Sequence, residues 1–143
     1  MVKAGINVTD EVMEEFVQFQ QKGAYRFLTL KVNDDKTAIV IADKGEKEDT
    51  YEKFLEKLPE KEPRFAFYMY EFTVTEGDFE RSTSKLVFIY WCPEKSSIKN
   101  RMVYSSSKKA VENKLQGLQI KLEASAMDEV VEEAVNKECL KRA

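Results

Sequence analysis

One stretch of this sequence combines residue types suited to docking on another molecule: IKNRMVYSSSKKAV, residues 98 to 111. It contains lysines and an arginine but no acid, three consecutive serines, and a methionine beside the arginine. Cations attract an acidic surface, small serines allow close approach, and the flexible thioether of methionine adapts to irregular apolar surfaces. These residue types predict non-covalent binding to an acidic partner.

Residue types needed for the common catalytic and metal sites are sparse. The absence of histidine removes Ser–His and Cys–His nucleophile pairs and the commonest zinc ligand. Cys92 and Cys139 form no CxxC pair, so we interpret both as reduced thiols. The five glycines are scattered and form no phosphate-binding loop. A paired-carboxylate enzyme remains an alternative, but most acids lie in charge runs typical of solvated surfaces. We expect no enzyme activity, metal or cofactor.

The distribution of charge narrows the class of partner. The whole chain carries a net charge of −3, whereas residues 94 to 121 contain seven cations and two acids. A basic stripe on an acidic protein favours a specific acidic protein partner and argues against nucleic acid. No apolar run approaches the ~20 residues that span a bilayer, and the N-terminal segment lacks the apolar stretch of a secretion signal. We therefore predict a cytoplasmic protein without a transmembrane segment.

Hydrophobic periodicity and capping residues predict the elements that position this stretch. Helices are expected from Thr9 to Gly23, from Thr50 to Leu58 before Pro59, across 98–117, and from about Ser125 to Leu140. For the last helix we expect a capping box of Ser125 and Asp128 and a buried seam of Val131, Val135 and Cys139. Strands are expected over 25–32, 37–42, 64–74, 85–91 and 118–124, with a polar loop or projecting hairpin at 75–84. This order predicts a single α+β domain over residues 1–143, with a central mixed sheet of five to six strands flanked by helices on both faces.

A helical wheel at about 100° per residue separates two sides of the helix at 98–117. The predicted core side contains Val103, Tyr104, Ala110, Val111 and Leu115. The opposite side contains Ile98 and Met102 together with Ser105, Lys109 and Asn113, flanked by Arg101 and Lys108. Outward apolar side chains among cations favour a docking ridge. The alternative is that Met102 packs against the preceding loop and the cations only solvate the helix.

The segment WCPEKSSIKNRMVYSSSKKAV closely resembles the signature of the ADF/cofilin family of actin-depolymerising proteins. The matching positions are Trp91, Pro93, Glu94, Ile98, Lys99, Arg101, Met102, Tyr104, Ser106, Ser107 and Lys108. AGINVTDE and TYEKFLEKLPEKEPRFAFYMYEF are similar to the family's N-terminal segment and its second helix and third strand. The resemblance covers essentially the whole chain. It implies the ADF-homology fold, a gelsolin-like architecture in which helices sandwich a mixed sheet.

The resemblance also implies a function and two binding surfaces. The family binds actin monomers and filaments, severs filaments and promotes their depolymerisation. The implied monomer-binding residues are Ala4, Gly5, Ile6, Ile98, Lys99, Arg101, Met102, Ser105, Lys108 and Lys109. The implied filament-binding residues are Arg81, Lys85, Lys137 and Lys141. We expect a monomeric protein of the cytoplasmic actin cytoskeleton, with monomeric and filamentous actin as partners. The alternative is a phosphoinositide-binding or non-severing, filament-decorating module of the same fold.

Three positions depart from the family pattern. Ala4 stands where many members carry a phosphorylatable serine, which puts that inhibitory switch in doubt. Glu112 and Asn113 dilute the basic cluster of the long helix, so that Lys108, Lys109 and Lys114 are the remaining candidates for binding phosphoinositides. The lysine-rich insertion associated with nuclear import is missing between the first two predicted strands.

Overall fold

Six strands form one mixed sheet in the computed structural model, which describes residues 6 to 141. The sheet order is β1-β3-β2-β4-β5-β6, with parallel pairs β1–β3 and β5–β6 and antiparallel pairs elsewhere. The strands are β1 (Asn7–Val8), β2 (Phe27–Val32), β3 (Ala38–Lys44), β4 (Arg64–Glu76), β5 (Phe79–Trp91) and β6 (Ile120–Ala124).

In this described part of the chain, four α-helices connect or follow the strands: α1 (Asp10–Lys22), α2 (Tyr51–Glu56), α3 (Ile98–Lys114) and α4 (Glu132–Lys141). Thr9 caps α1 by accepting a hydrogen bond from the Val12 N–H at 3.3 Å, and Gly23 ends it in the left-handed conformation with φ of 62°. The predicted order of helices and longer strands is confirmed. The short strand β1 is an addition that the sequence did not indicate.

The sheet divides the interior into two apolar layers. Helices α1 and α3 cover one face, where Phe16 and Phe19 of α1 and Val111 of α3 are buried. Helices α2 and α4 cover the other face with Phe54 and Val135. The nearly continuous apolar runs of β4 and β5 are explained by this arrangement, because alternate side chains enter opposite layers. The prediction of helices on both faces of a mixed sheet is correct.

The polar segment at 75–84 is a projecting hairpin. Strands β4 and β5 remain paired through all 13 residues of each, up to the pair formed by Glu76 and Phe79. Gly77 has φ of 62°, as the first central position of a tight two-residue hairpin turn requires. The part of this hairpin beyond the core, residues 73–84, is called the ribbon below.

The prediction for the last helix is wrong in three respects. Residues Met127–Glu129 form a separate 3-10 turn, and α4 begins only at Glu132. The carboxylate that caps this turn belongs to Glu129 and not to Asp128. It accepts hydrogen bonds from the N–H groups of Ser125 and Ala126. The extra turn rotates the chain, so Val130 is buried while the predicted core residue Val131 is 37% exposed. Val135 and Cys139 are buried as predicted.

Candidate functional site

Helix α3 is anchored on the face of the sheet that it covers together with α1. Ser97 caps its start by accepting a hydrogen bond from the Asn100 N–H at 3.1 Å. The Tyr104 hydroxyl accepts a hydrogen bond from the buried Val32 N–H at 3.0 Å, and its ring lies 5.4 Å from that of Phe65. These contacts fix the helix against β2 and β4, so its outer side chains stand on a firm support.

The outer side of α3 presents apolar side chains to solvent. Ile98 is 77% exposed and Met102 is 66% exposed, one helical turn apart. The predicted outward direction of both residues is confirmed, and the alternative that Met102 packs against the preceding loop is wrong. We call the exposed set the docking face: Ile98, Lys99, Arg101, Met102, Ser105 and Lys109.

The three serines of α3 have different environments. Ser105 donates a hydrogen bond to the Met102 carbonyl at 3.3 Å, and Ser106 donates one to the Val103 carbonyl at 3.0 Å. Ser107 is buried and donates to the same Val103 carbonyl at 2.8 Å. The wheel did not assign Ser107 to the core, although its position beside Tyr104 and Val111 on the same arc was a usable signal. The exposed hydroxyls of Ser105 and Ser106 thus bond to carbonyls of α3 itself. These short side chains leave Met102 projecting above its surroundings.

The cations of α3 are not equivalent. Lys108 forms ion pairs with Glu123 of β6 at 2.5 Å and with Glu112 at 3.7 Å, and its Nζ lies 5.7 Å from the centre of the Tyr90 ring. Arg101 donates a hydrogen bond to the Glu94 carbonyl. Within residues 6–141, Lys99 and Lys109 form no ion pair. Among the predicted contact cations of α3, Lys108 is therefore the one whose charge is already compensated by acids within residues 6–141.

Burial raises the pKa of two tyrosines beneath α3, whose hydroxyls are protonated at neutral pH even at the ordinary value of 10.0. Burial raises the pKa of the Tyr104 hydroxyl, opposed in part by its bond to Val32. Burial also raises the pKa of Tyr90, with the neighbouring Cys92 adding to the effect. Cys92 is half-buried and Cys139 is buried, and within residues 6–141 neither of them forms a disulfide. The support of the docking face therefore carries no ionised side chain at neutral pH from these groups.

The predicted N-terminal part of the monomer-binding set is described only from Ile6 onward. Ala4 and Gly5 lie outside the described residues. Ile6 packs against the same apolar layer as α3, and β1 lies next to α3. The structure thus brings Ile6 close to the helix that carries the other predicted contacts.

The predicted filament-binding cations come from β5, within and next to the ribbon, and from α4. Arg81 and Lys85 lie on the same face of β5, where their partners on β4 are Val74 and Tyr70. The Arg81 guanidinium pairs with Glu76 at 3.0 Å. Lys137 and Lys141 are exposed one turn apart on α4, where Lys141 pairs with Glu138 at 3.3 Å. The Tyr70 hydroxyl contacts Glu132 at 3.3 Å and Asn136 at 3.2 Å, which holds α4 against the base of the ribbon. Both cation pairs therefore belong to the α2–α4 side of the sheet.

Sequence reasoning missed an apolar groove beside the start of α3. It is lined mainly by Leu58, Trp91, Pro93, Ala126 and Met127, with Lys95 and Glu60 bridging its rim at 2.9 Å. These residues come from separate segments of the chain, so no local pattern indicated the groove. The exposed Met127 was its one sequence signal, since a methionine in a polar turn invites a contact.

The described residues offer no alternative site with metal-binding character. No group of three or more acidic or thiol side chains within residues 6–141 is placed to hold a metal ion. No helix in the same part of the chain combines the length and apolar character needed to cross a bilayer.

A mixed sheet covered by helices, with an exposed ridge of apolar and cationic side chains, is typical of proteins that bind a partner without covalent chemistry. Comparison with known proteins identifies the family. The family model for cofilin/tropomyosin-type actin-binding proteins matches residues 5–140. The chain belongs to this cofilin/ADF family of actin-binding proteins, which are not enzymes.

Relatives and solved structures agree with this assignment. Actophorin of Acanthamoeba castellanii is 34% identical over 96% of this chain and 97% of its own length. A cofilin of Ogataea parapolymorpha is 36% identical over 94% of this chain and 92% of its own length. The crystal structure of Streptomyces griseoflavus cofilin superposes with a TM-score of 0.87 at 27% identity, covering 97% of this chain and 100% of that one.

Proposed function

We propose that this protein binds actin monomers and the sides of actin filaments, severs filaments and promotes their depolymerisation. The observation that carries the proposal is the docking face, where Met102 and Ile98 project from a core-anchored helix among Lys99, Arg101 and Lys109. Such a ridge suits an acidic surface with an apolar groove, because cations orient the approach and the apolar side chains supply the buried area. In the cell we expect it to act as a monomer within the cytoplasmic actin cytoskeleton.

Filament binding is supported by a second cationic group on the other side of the molecule. The docking face belongs to the helix layer of α1 and α3, whereas Arg81, Lys85, Lys137 and Lys141 belong to the side of α2 and α4. One compact partner is poorly placed to cover both groups. Two neighbouring subunits of a filament satisfy this geometry, because each can take one surface.

Severing follows from binding without any covalent step. A ligand that binds one filament conformation more tightly than another shifts the filament toward that conformation by the difference in binding free energy. Boundaries between occupied and bare segments are then mechanically mismatched, and we expect breakage there. Subunits next to such boundaries and at the ends are lost faster.

Filament sedimentation and light scattering test this function directly. We expect the protein to pellet with actin filaments at micromolar concentration and to accelerate the decay of filament light scattering. Pelleting without faster decay would mean that the protein decorates filaments without severing them. Absence of pelleting would contradict filament binding altogether.

Two matched double variants separate the two surfaces. Lys99→Ala with Arg101→Ala removes two docking-face cations and should weaken monomer binding by about tenfold or more, as expected for loss of central charged contacts. Lys137→Ala with Lys141→Ala removes the same charge from α4 and should impair filament pelleting while leaving monomer affinity unchanged. Equal effects of both variants on both measurements would contradict the assignment of two surfaces.

Phosphoinositide binding is a second, weaker proposal. Lys109 and Lys114 are exposed on α3 and offer positive charge to an anionic lipid surface, worth about 1 kcal/mol per cation. Lys108 contributes less, because Glu112 and Glu123 already compensate its charge. We expect flotation with phosphoinositide vesicles to be weak and to be lost in moderate salt. Strong flotation combined with negligible actin binding would favour the membrane-surface alternative.

A further inference from the structure

The most exposed large hydrophobic side chain among the described residues lies at the tip of the ribbon. Phe79 is 78% exposed, and no ring contact or hydrogen bond of its side chain is found within residues 6–141. A solitary exposed hydrophobic residue is ordinary, so exposure by itself assigns no role. The position and surroundings of Phe79 supply the rest of the argument.

Strand register fixes the direction in which Phe79 projects. Successive side chains of a strand alternate between faces, so Phe79, Arg81 and Lys85 share one face of β5. Their partners on β4 are Glu76, Val74 and Tyr70. Tyr70 belongs to the apolar layer covered by α2 and α4, and Phe79 therefore projects from that side of the sheet, opposite to the docking face.

The ribbon holds this side chain in a defined place. Pairing continues to Glu76 and Phe79, the turn uses Gly77 at φ of 62°, and the diagonal ion pair of Glu76 with Arg81 spans 3.0 Å. Six residues of extended strand separate Phe79 from Lys85, which corresponds to about 20 Å. A preformed projection of this kind loses little conformational entropy on binding.

An apolar strip connects the core to the ribbon on the same face. The rings of Tyr70 and Phe72 are stacked with centroids 5.8 Å apart, Phe72 is 8% exposed, and Val74 packs against the same layer. Phe79 extends the apolar character to the tip, with Arg81 at the next position of the same face and Lys85 two positions further along that face. The face thus combines a terminal aromatic ring with two cations.

We propose that Phe79 is an apolar anchor that enters a pocket on the second actin subunit of a filament, next to the subunit bound by the docking face. This inference rests on the proposed binding to filament sides. A partner subunit on the docking face cannot also reach a side chain that projects from the opposite side of the sheet. Phe79 therefore contributes to binding filaments and not to binding monomers, and its contribution does not depend on salt.

Variants at the ribbon tip test the anchor. Phe79→Ser should weaken filament binding by about tenfold or more, as expected for truncation of a buried aromatic anchor, and leave monomer affinity within about twofold. Phe79→Leu keeps apolar volume and should retain most of the binding. Arg81→Ala is the matched control. Its loss of filament affinity relative to wild type should shrink as salt is raised, whereas the loss of filament affinity in Phe79→Ser should stay constant. Co-sedimentation at two salt concentrations and monomer titration give the readouts, with unfolding midpoints confirming that the variants are folded.

Each other outcome overturns the inference in a recognisable way. If Phe79→Ser binds filaments as tightly as the wild-type protein, Phe79 is not an anchor. If Phe79→Ser loses as much affinity for monomers as for filaments, Phe79 belongs to the monomer contact. If the wild-type protein floats with vesicles or self-associates, and Phe79→Ser loses that property while still pelleting with filaments, the ring belongs to a lipid surface or to a second copy of this chain, respectively. If wild-type protein fails to pellet, the proposed function itself fails.

Discussion

The docking face and the ribbon present similar chemistry on very different supports. Both combine cations with an exposed hydrophobic side chain, Met102 on α3 and Phe79 on the hairpin. Helix α3 is anchored along its length by Tyr104, Val111 and Leu115. The ribbon extends beyond the last buried residues of β4 and β5 and depends on its own strand pairing.

This difference separates stability from binding at the two places. On α3, the inner residues stabilise the fold while their outer neighbours are free to contact a partner. On the ribbon tip, nearly every side chain is exposed, so substitutions there act on binding with little effect on folding. One molecule thereby offers a rigid, core-supported surface and a projecting one, on opposite sides of the same sheet.

Removing the buried ring of Tyr104 beneath the docking face should change stability more than any other substitution proposed here. Tyr104→Ala should lower the free energy of unfolding by about 3–5 kcal/mol, the usual range for deleting a buried aromatic ring. Tyr104→Phe keeps the ring and should lower it by about 1–3 kcal/mol, because the buried Val32 N–H loses its acceptor. Urea unfolding measures both values.

The ribbon supplies the matched control for this comparison. Phe79→Ala removes an aromatic ring of similar size at a 78% exposed position and should change stability by less than about 0.5 kcal/mol. A loss at Phe79 comparable to that at Tyr104 would mean that the ribbon tip is packed in solution, and the contrast between the two supports would disappear.

Releasing Lys108 from its internal ion pair should have a smaller effect, on monomer affinity. Glu123→Gln removes the acid that pairs with Lys108 at 2.5 Å and leaves this cation available to an acidic partner. We expect monomer affinity to rise by about two- to fivefold at low salt, in line with the strength of exposed ion pairs, and the gain to fade as salt is raised. Fluorescence titration of labelled monomeric actin measures it.

The other acid near Lys108 provides the comparison variant. Glu112→Gln should give a smaller gain, because its carboxylate lies 3.7 Å from Lys108 Nζ. Unchanged or weaker monomer binding in both variants would indicate that Lys108 keeps its internal contacts in the complex and takes no part in docking.

The smallest expected effect is the response of stability to pH near neutrality. With no histidine in the chain, we expect the free energy of unfolding to be nearly constant between about pH 6 and 8. Hydrogen bonds lower the pKa of three carboxyls below the ordinary value of 4.5: Tyr25 acts on Glu15, Lys95 on Glu60, and the Ser125 N–H on Glu129. None of them belongs to the docking face or the ribbon.

The sign of this linkage follows from the direction of the shifts. A lowered folded-state pKa stabilises the fold above the unfolded value, and this contribution is lost as the pH falls through the acid range. At the other end, burial raises the pKa of Tyr70 to about 12, so stability should fall as the pH rises above the ordinary tyrosine value of 10.0. Urea unfolding across pH checks both limbs. A step near neutrality would contradict the expectation.

Local signals predicted most of the secondary structure correctly. Thr9 and Gly23 marked the ends of α1, and the continuous apolar runs marked β4 and β5, because capping and burial on both faces leave strong traces in a short stretch. The start of α4 was missed, since the 3-10 turn before it depends on how Val130 enters the core. The apolar groove beside α3 was missed because its lining residues are far apart in the chain.

The sequence was sufficient to predict the outward row of Ile98 and Met102, because helical periodicity converts spacing directly into direction. It also excluded histidine chemistry and indicated the family through one long motif. Two relations emerged from the folded chain: Glu123 holds Lys108, and Phe79, Arg81 and Lys85 share the face opposite to the docking face. Those relations depend on strand register and on contacts between segments distant in sequence, which no local pattern encodes.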